Sequence, residues 1–281
     1  MKFAYLIMAH DNFRQLMILL KLLDSVNNDI YLHIDKKTRY INIDMLKNCV
    51  LEAKIHVYME YDVKWAGISQ TKCQMFLLEQ AIQKYHDYYH LLSGHDLPLH
   101  CNDTIEKFFY NNAGKEFIHF ESFDYCLKDN CRYYNLGNGL LSKVFICIQK
   151  AFRVNRKLYC GANWFSITHR LGCDLVKHKI DILRKVRFTI SSDEYILQTF
   201  YRTMTNNNYV LYNTNVNDYS SVTRMIDWDR GSPYVWQVDD FYQLIDSGRM
   251  FARKFDERID NEIIEKVVRY IDLEKRTVKK S

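Results

Sequence analysis

Proline and glycine are scarce in this chain. Its 281 residues include two prolines, Pro98 and Pro233, and nine glycines. That excludes a collagen-like, low-complexity or disordered scaffold. Its eight cysteines form no C-x-x-C pair, and Cys126 and Cys131 stand too far apart for a zinc knuckle. Free thiols are the expectation. The apolar run Phe3–Ala9 stops at His10 with no small-residue cleavage site, and no run reaches the roughly 18–20 residues of a spanning helix. The expected location is therefore the cytoplasm, at most on the inner face of a membrane. Charge of one sign is lacking too. Lys plus Arg is 39 against 34 Asp plus Glu, a net +5, which suits a phosphate-bearing ligand but not a nucleic-acid partner.

What is present is a large apolar fraction, 48%, with 15% aromatic residues, enough for a sizeable core. Buried-strand patterns occur at residues 3–8, 30–34, 54–58, 89–92 and 116–120. Helical spacing occurs at 12–23, from a Ser69 cap to about Tyr85, and at 104–110. This alternation predicts an α/β sandwich around a mostly parallel sheet. Ligands of such sheets bind beyond the carboxyl ends of the strands. Those ends lead into His10, into Asp35-Lys36-Lys37, toward Trp65-Ala66-Gly67 and into Gly94-His95-Asp96. The second half is less regular. It offers an amphipathic basic stretch at 140–157, a turn and strand at 161–168, a helix at 193–203 capped by Ser191 or Ser192, and a final helix at 259–273. One domain is expected, with a nucleotide-binding half (1–135) and an acceptor and diphosphate half (136–281).

Several constellations carry chemistry, each beside a plainer reading. Gly67 and Ser69 before a helix form either an anion cradle or a turn with a cap. Asp96, at the bend set by Pro98, either orients a ligand hydroxyl or caps the bend. Glu194 in Ser191-Ser192-Asp193-Glu194 is either a helix-capping acid or a general base. Asp227-Trp228-Asp229 is a D-x-D that could hold a divalent cation. Arg253-Lys254 between aromatics is either a phosphate clamp or a solvated pair. The 140–157 stretch either rests on a membrane surface or is a core helix with solvated lysines. The tail Lys275–Lys280 either assists it or is disordered.

Ten segments in order resemble the core-2/I-branching β-1,6-N-acetylglucosaminyltransferase and peptide O-xylosyltransferase family. They are Ala4–His10, His33–Lys37, Val63–Ser69, Leu91–Leu99, Gly114–Ile118, Gly161–Trp164, Ser192–Glu194, Arg224–Trp228, Ser232–Pro233 and Phe251–Asp256. Trp65 stands where some relatives have tyrosine, and Ala66-Gly67 replaces the commoner Gly-Gly. The resemblance implies a GT-A-like, Rossmann-type fold and an inverting, metal-independent transfer from a UDP-sugar to a glycan hydroxyl. The expected donor is UDP-N-acetylglucosamine, with UDP-xylose next. The acceptor is a glycan, free or lipid-linked, as in bacterial-type surface polysaccharide synthesis. By the same resemblance His10, Asp35 and Trp65 surround the uridine and ribose, and Glu194 is the base. Lys254 with Arg224 or Arg230 holds the diphosphate, and Asp96, Trp164 and Arg253 are weaker candidates for sugar or acceptor contact. No cofactor or metal is implied. The alternatives left open are a non-catalytic nucleotide- or glycan-binding protein, and a metal-dependent transferase using Asp227 and Asp229.

Overall fold

The computed structural model describes the chain except Tyr40, Leu127, residues 136–138, Asn155, residues 206–207 and residues 279–281, and except the side chains of Phe123, Cys126 and Asn130. Its strands are β1 (Phe3–Ala9), β2 (Asn28–Ile34), β3 (Lys54–Tyr58), β4 (Tyr88–Ser93), β5 (Asp96–Pro98), β6 (Lys115–Ile118), β7 (Phe165–Thr168), β8 (Val210–Leu211), β9 (Arg224–Ile226) and β10 (Phe251–Arg253). The main sheet has seven strands in the order β3-β2-β1-β4-β7-β6-β8. β7 runs antiparallel to both β4 and β6, and every other pairing is parallel. The predicted mostly parallel α/β sandwich is the architecture observed.

β1 is an almost continuous apolar run because helices cover both of its faces. Its period of two sorts the residues. Phe3, Tyr5, Ile7 and Ala9 pack with Leu16, Leu19 and Leu20 of helix Phe13–Leu22 and with Ile263 and Val267 of helix Asn261–Val278. Ala4 and Leu6 pack on the other face with Met75 and Leu78 of helix Ile68–Ala81 and with Leu171 and Leu175. The chain steps from β1 to β2 to β3 on one side and then crosses through helix Ile68–Ala81 to β4 on the other, so the β1/β4 junction is a switch point with its crevice at the strand ends.

A smaller sheet, β5-β10-β9, flanks that crevice. Its register sets Arg253 directly opposite Asp96. The irregular second half also supplies helices His169–Lys177 and Lys179–Val186, which the sequence reading did not single out.

Two local expectations are corrected. Gly67, not Ser69, stands at the cap of helix Ile68–Ala81; Ser69 lies in the first turn, and its Oγ accepts from the Lys64 N–H at 2.8 Å. The segment opened by Ser192-Asp193-Glu194 is a separate 3₁₀ turn, and the α-helix begins at Ile196. The tail is helical through Val278, and Lys279 and Lys280 lie outside the described residues.

Candidate active site

The carboxyl ends of β1, β2 and β4 open into a cleft of about 900 Å³. That is the upper range of small-molecule sites, about 300–1,000 Å³. Of the residues singled out, His10, Asp35, Trp65, Trp164, Glu194, Arg253 and Lys254 all line it.

The β2 side is rigidly built. Asp35 is buried, and its carboxylate accepts the N–H groups of Lys37 (2.8 Å) and Val63 (3.2 Å), tying the end of β2 to the loop after β3. Burial pushes the neighbouring His33 down to about 4, so it is neutral near pH 7, and its Nε2 accepts the Tyr61 N–H at 3.0 Å. Trp65 is almost fully exposed on the rim, an open aromatic face of the kind a flat ring can stack on.

The opposite wall holds Glu194, and its placement depends on bonds from distant elements. The Ser191 N–H donates to the Ala66 carbonyl at 2.8 Å. The Ser192 and Thr71 hydroxyls lie 2.6 Å apart. Asp193 Oδ2 accepts from Gln70 Nε2 at 2.7 Å and from Asn163 Nδ2 at 2.9 Å. Gly161 donates its N–H to the Glu194 carbonyl at 3.0 Å. A Cβ on Gly161 would stand 1.9 Å from the His119 carbonyl oxygen, so no larger residue fits there without moving the backbone. Gln70, Thr71 and Asn163 were missed by sequence reading; the proximity of Gln70 and Thr71 to Gly67 was their available signal.

Glu194 shows much of its surface to the cleft, yet the cleft itself is surrounded by protein. That burial, followed by the charges of Asp193 and Glu121, raises its pKa to about 7. Asp193 is raised to about 6, chiefly by burial, and its Oδ1 has no hydrogen-bond partner among the described residues. A carboxylate poised near neutrality and open to a ligand can accept a proton, which a mere capping acid does not need.

The cations divide sharply. Arg224 is buried, and its guanidinium donates to the carbonyls of Leu91 (3.1 Å), Phe165 (2.8 Å) and Val222 (2.5 Å) and to Ser166 Oγ (2.9 Å). It pins β4 to β7 beneath the cleft and is outside the cleft lining. Arg230 also lies outside the lining, held by Asp227 (2.6 Å) and Asp240 (2.7 Å) and stacked over Tyr234. The structure thus brings neither arginine to the cleft. Arg253 does line it. Its guanidinium pairs with Asp96 at 2.7 Å and lies 4.7 Å from the Trp164 ring centre. Asp96 is buried below Arg253 and also accepts from the Ser93 N–H and hydroxyl, so it holds Arg253 and does not face the cleft. Among the described residues, no carboxylate lies within ion-pair distance of Lys254.

In the D-x-D, Asp227 already serves other donors. Asp227 accepts the N–H groups of Asp229 and Arg230 as well as the Arg230 side chain, and these donors lower its pKa. Among the described residues, the group with ligand atoms close enough for a cation is His10, Asp11 and His95. Asp11 there already accepts from His95 and from Arg258. Cys49, Cys73, Cys101, Cys147 and Cys173 are free thiols, and the Cys126 side chain lies outside the described residues.

The Core-2/I-Branching enzyme model matches residues 3–245, and the chain belongs to that family. It is 25% identical to Xylosyltransferase sqv-6 of Caenorhabditis briggsae over 90% of this chain and 34% of that protein. It is 21% identical to Xylosyltransferase 2 of Bos taurus over 96% of this chain and 33% of that protein. The chain therefore spans about a third of the length of these curated relatives. Among solved structures, mouse Xyloside xylosyltransferase 1 in its apo form aligns with a TM-score of 0.42 at 12% identity, covering 89% of this chain and 96% of that one.

Proposed function

We propose that this chain is an inverting glycosyltransferase that moves a sugar from a UDP-sugar to a hydroxyl of a glycan acceptor without a metal ion. The observation that carries this reading is the meeting of two groups in one cleft. One is Glu194, a carboxylate whose pKa is raised to about 7; the other is Lys254, a cation with no carboxylate partner among the described residues.

The acceptor hydroxyl oxygen attacks the anomeric carbon from the face opposite UDP. The bond from that carbon to the diphosphate oxygen breaks, and its electron pair stays on the β-phosphate. The hydroxyl proton passes to Glu194, a role worth typically about 10²–10⁴ in rate. Lys254 and Arg253 offset the charge growing on UDP, where other enzymes use a metal ion. His10, Asp35 and the exposed Trp65 surround the nucleoside, and Trp164 with Arg253 faces the transferred sugar. Arg253, held by Asp96, takes the place first given to Arg224 or Arg230.

The donor is N-acetylglucosamine or xylose linked to UDP. The relatives named xylosyltransferases bring xylose forward. The acceptor is a glycan, free or lipid-linked, in surface polysaccharide assembly. The test is UDP release from UDP-xylose, UDP-N-acetylglucosamine, UDP-glucose and UDP-galactose across an acceptor panel, with EDTA and with manganese. Turnover that EDTA leaves unchanged is expected. Loss in EDTA restored by manganese would overturn the metal-independent mechanism, and no turnover with any donor would favour a non-catalytic binding protein.

A further inference from the structure

Helix Leu140–Ala151 is turned inside out. The residues it buries are polar: Ser142 bonds to Asn135, and Gln149 exchanges bonds with the backbone of Tyr134 at 2.8 and 2.9 Å. Its apolar residues form a stripe at helical spacing that faces solvent. Leu140, Leu141 and Phe152 are about four-fifths exposed, at 78%, 82% and 81%, and Val144 and Ile148 are half exposed. The alternative of a core helix with solvated lysines is therefore not what the fold shows. Soluble surfaces rarely leave so continuous a stripe uncovered.

Cations dominate the charges around the stripe, although Asp129 pairs with Lys150 of the helix at 2.8 Å. Between Asp129 and Asp174 the sequence has no acid and seven Lys or Arg residues. Lys143 on the helix and Arg153 next to Phe152 are exposed beside the stripe. Phe188, half exposed with Arg187 stacked on its ring, adjoins this surface, because its carbonyl accepts the Asn135 N–H at 2.6 Å.

We propose that this face docks in the plane of an anionic lipid bilayer, with the stripe among the upper acyl chains and the cations at the headgroups. A second copy of the chain fits less well, since a symmetric contact would set two cationic rims against each other. The helix has 12 residues, and no described helix is long and apolar enough to cross a membrane, so the contact is peripheral. The segment carrying it leaves the cleft wall at Tyr125 and returns at Cys160.

Flotation of the full chain with phosphatidylcholine vesicles, with and without phosphatidylglycerol, tests this. The protein should float with the anionic vesicles, much less with the neutral ones, and detach as salt is raised. Leu141→Gln with Phe152→Gln, on the exposed stripe, should weaken binding by about tenfold or more at an unchanged melting temperature. Lys143→Glu with Arg153→Glu should act similarly. Failure of the wild-type chain to float, flotation unchanged in the stripe variant, or a wild-type dimer by light scattering that the stripe variant disperses would each overturn the proposal.

Discussion

The two walls of the cleft place their side chains by different means. On one, His10 and Asp35 stand at the carboxyl ends of β1 and β2, and register between neighbouring parallel strands fixes them. On the other, Glu194 sits on a short 3₁₀ turn held by Ala66, Gln70, Thr71, Gly161 and Asn163, which come from two separate segments. The first wall is a by-product of the sheet and is as stable as the sheet. The second is an assembly of hydrogen bonds, so its geometry can fail while the fold survives. Binding of the nucleoside should therefore tolerate substitution on the second wall, whereas turnover should not.

The largest expected effect follows from that contrast. Glu194→Gln should lower kcat by about 10²-fold or more and leave UDP affinity nearly unchanged, read by steady-state kinetics and calorimetry. Full turnover in that variant would erase the distinction between the walls.

A second comparison separates cations of the site from cations of the scaffold. Arg224→Met would remove the guanidinium donor from the buried carbonyls of Leu91 and Phe165, at about 1–3 kcal/mol for each that finds no substitute, while the Val222 carbonyl keeps the Thr223 hydroxyl. Denaturant unfolding should show a loss of several kcal/mol. Lys254→Ala should leave the unfolding curve nearly unchanged and weaken UDP by about 10- to 100-fold, as one charged hydrogen bond of about 1.5–3 kcal/mol implies. Arg230→Ala should change UDP affinity by less than about fivefold, because its partners are Asp227 and Asp240 and not the cleft.

The first wall was legible in the sequence because each strand and the polar residue at its end are contiguous. The second was legible for Glu194 and Lys254 through motif resemblance, but not for what surrounds them. Asp96 and Arg253 pair across 157 positions, and only the β5-β10 register reveals that Asp96 serves the arginine. Arg224 was misplaced because its motif outweighed its neighbours. Residues 221–224 are buried without a break and Ile226 is buried after them, so the arginine enters its strand from inside the protein. At 140–151 the sequence showed an amphipathic helix, but periodicity does not say which face looks into the protein. The polar partners Tyr134 and Asn135 decide it.

The pH dependence of kcat/KM tests the central claim most directly, that Glu194 is the base whose pKa the cleft raises to about 7. A base must be unprotonated in the free enzyme, so kcat/KM should rise with pH through about 7 and fall about tenfold per pH unit well below it. The same limb should vanish from the residual activity of Glu194→Gln. A flat profile through this range, or a limb that persists in the variant, would contradict the account.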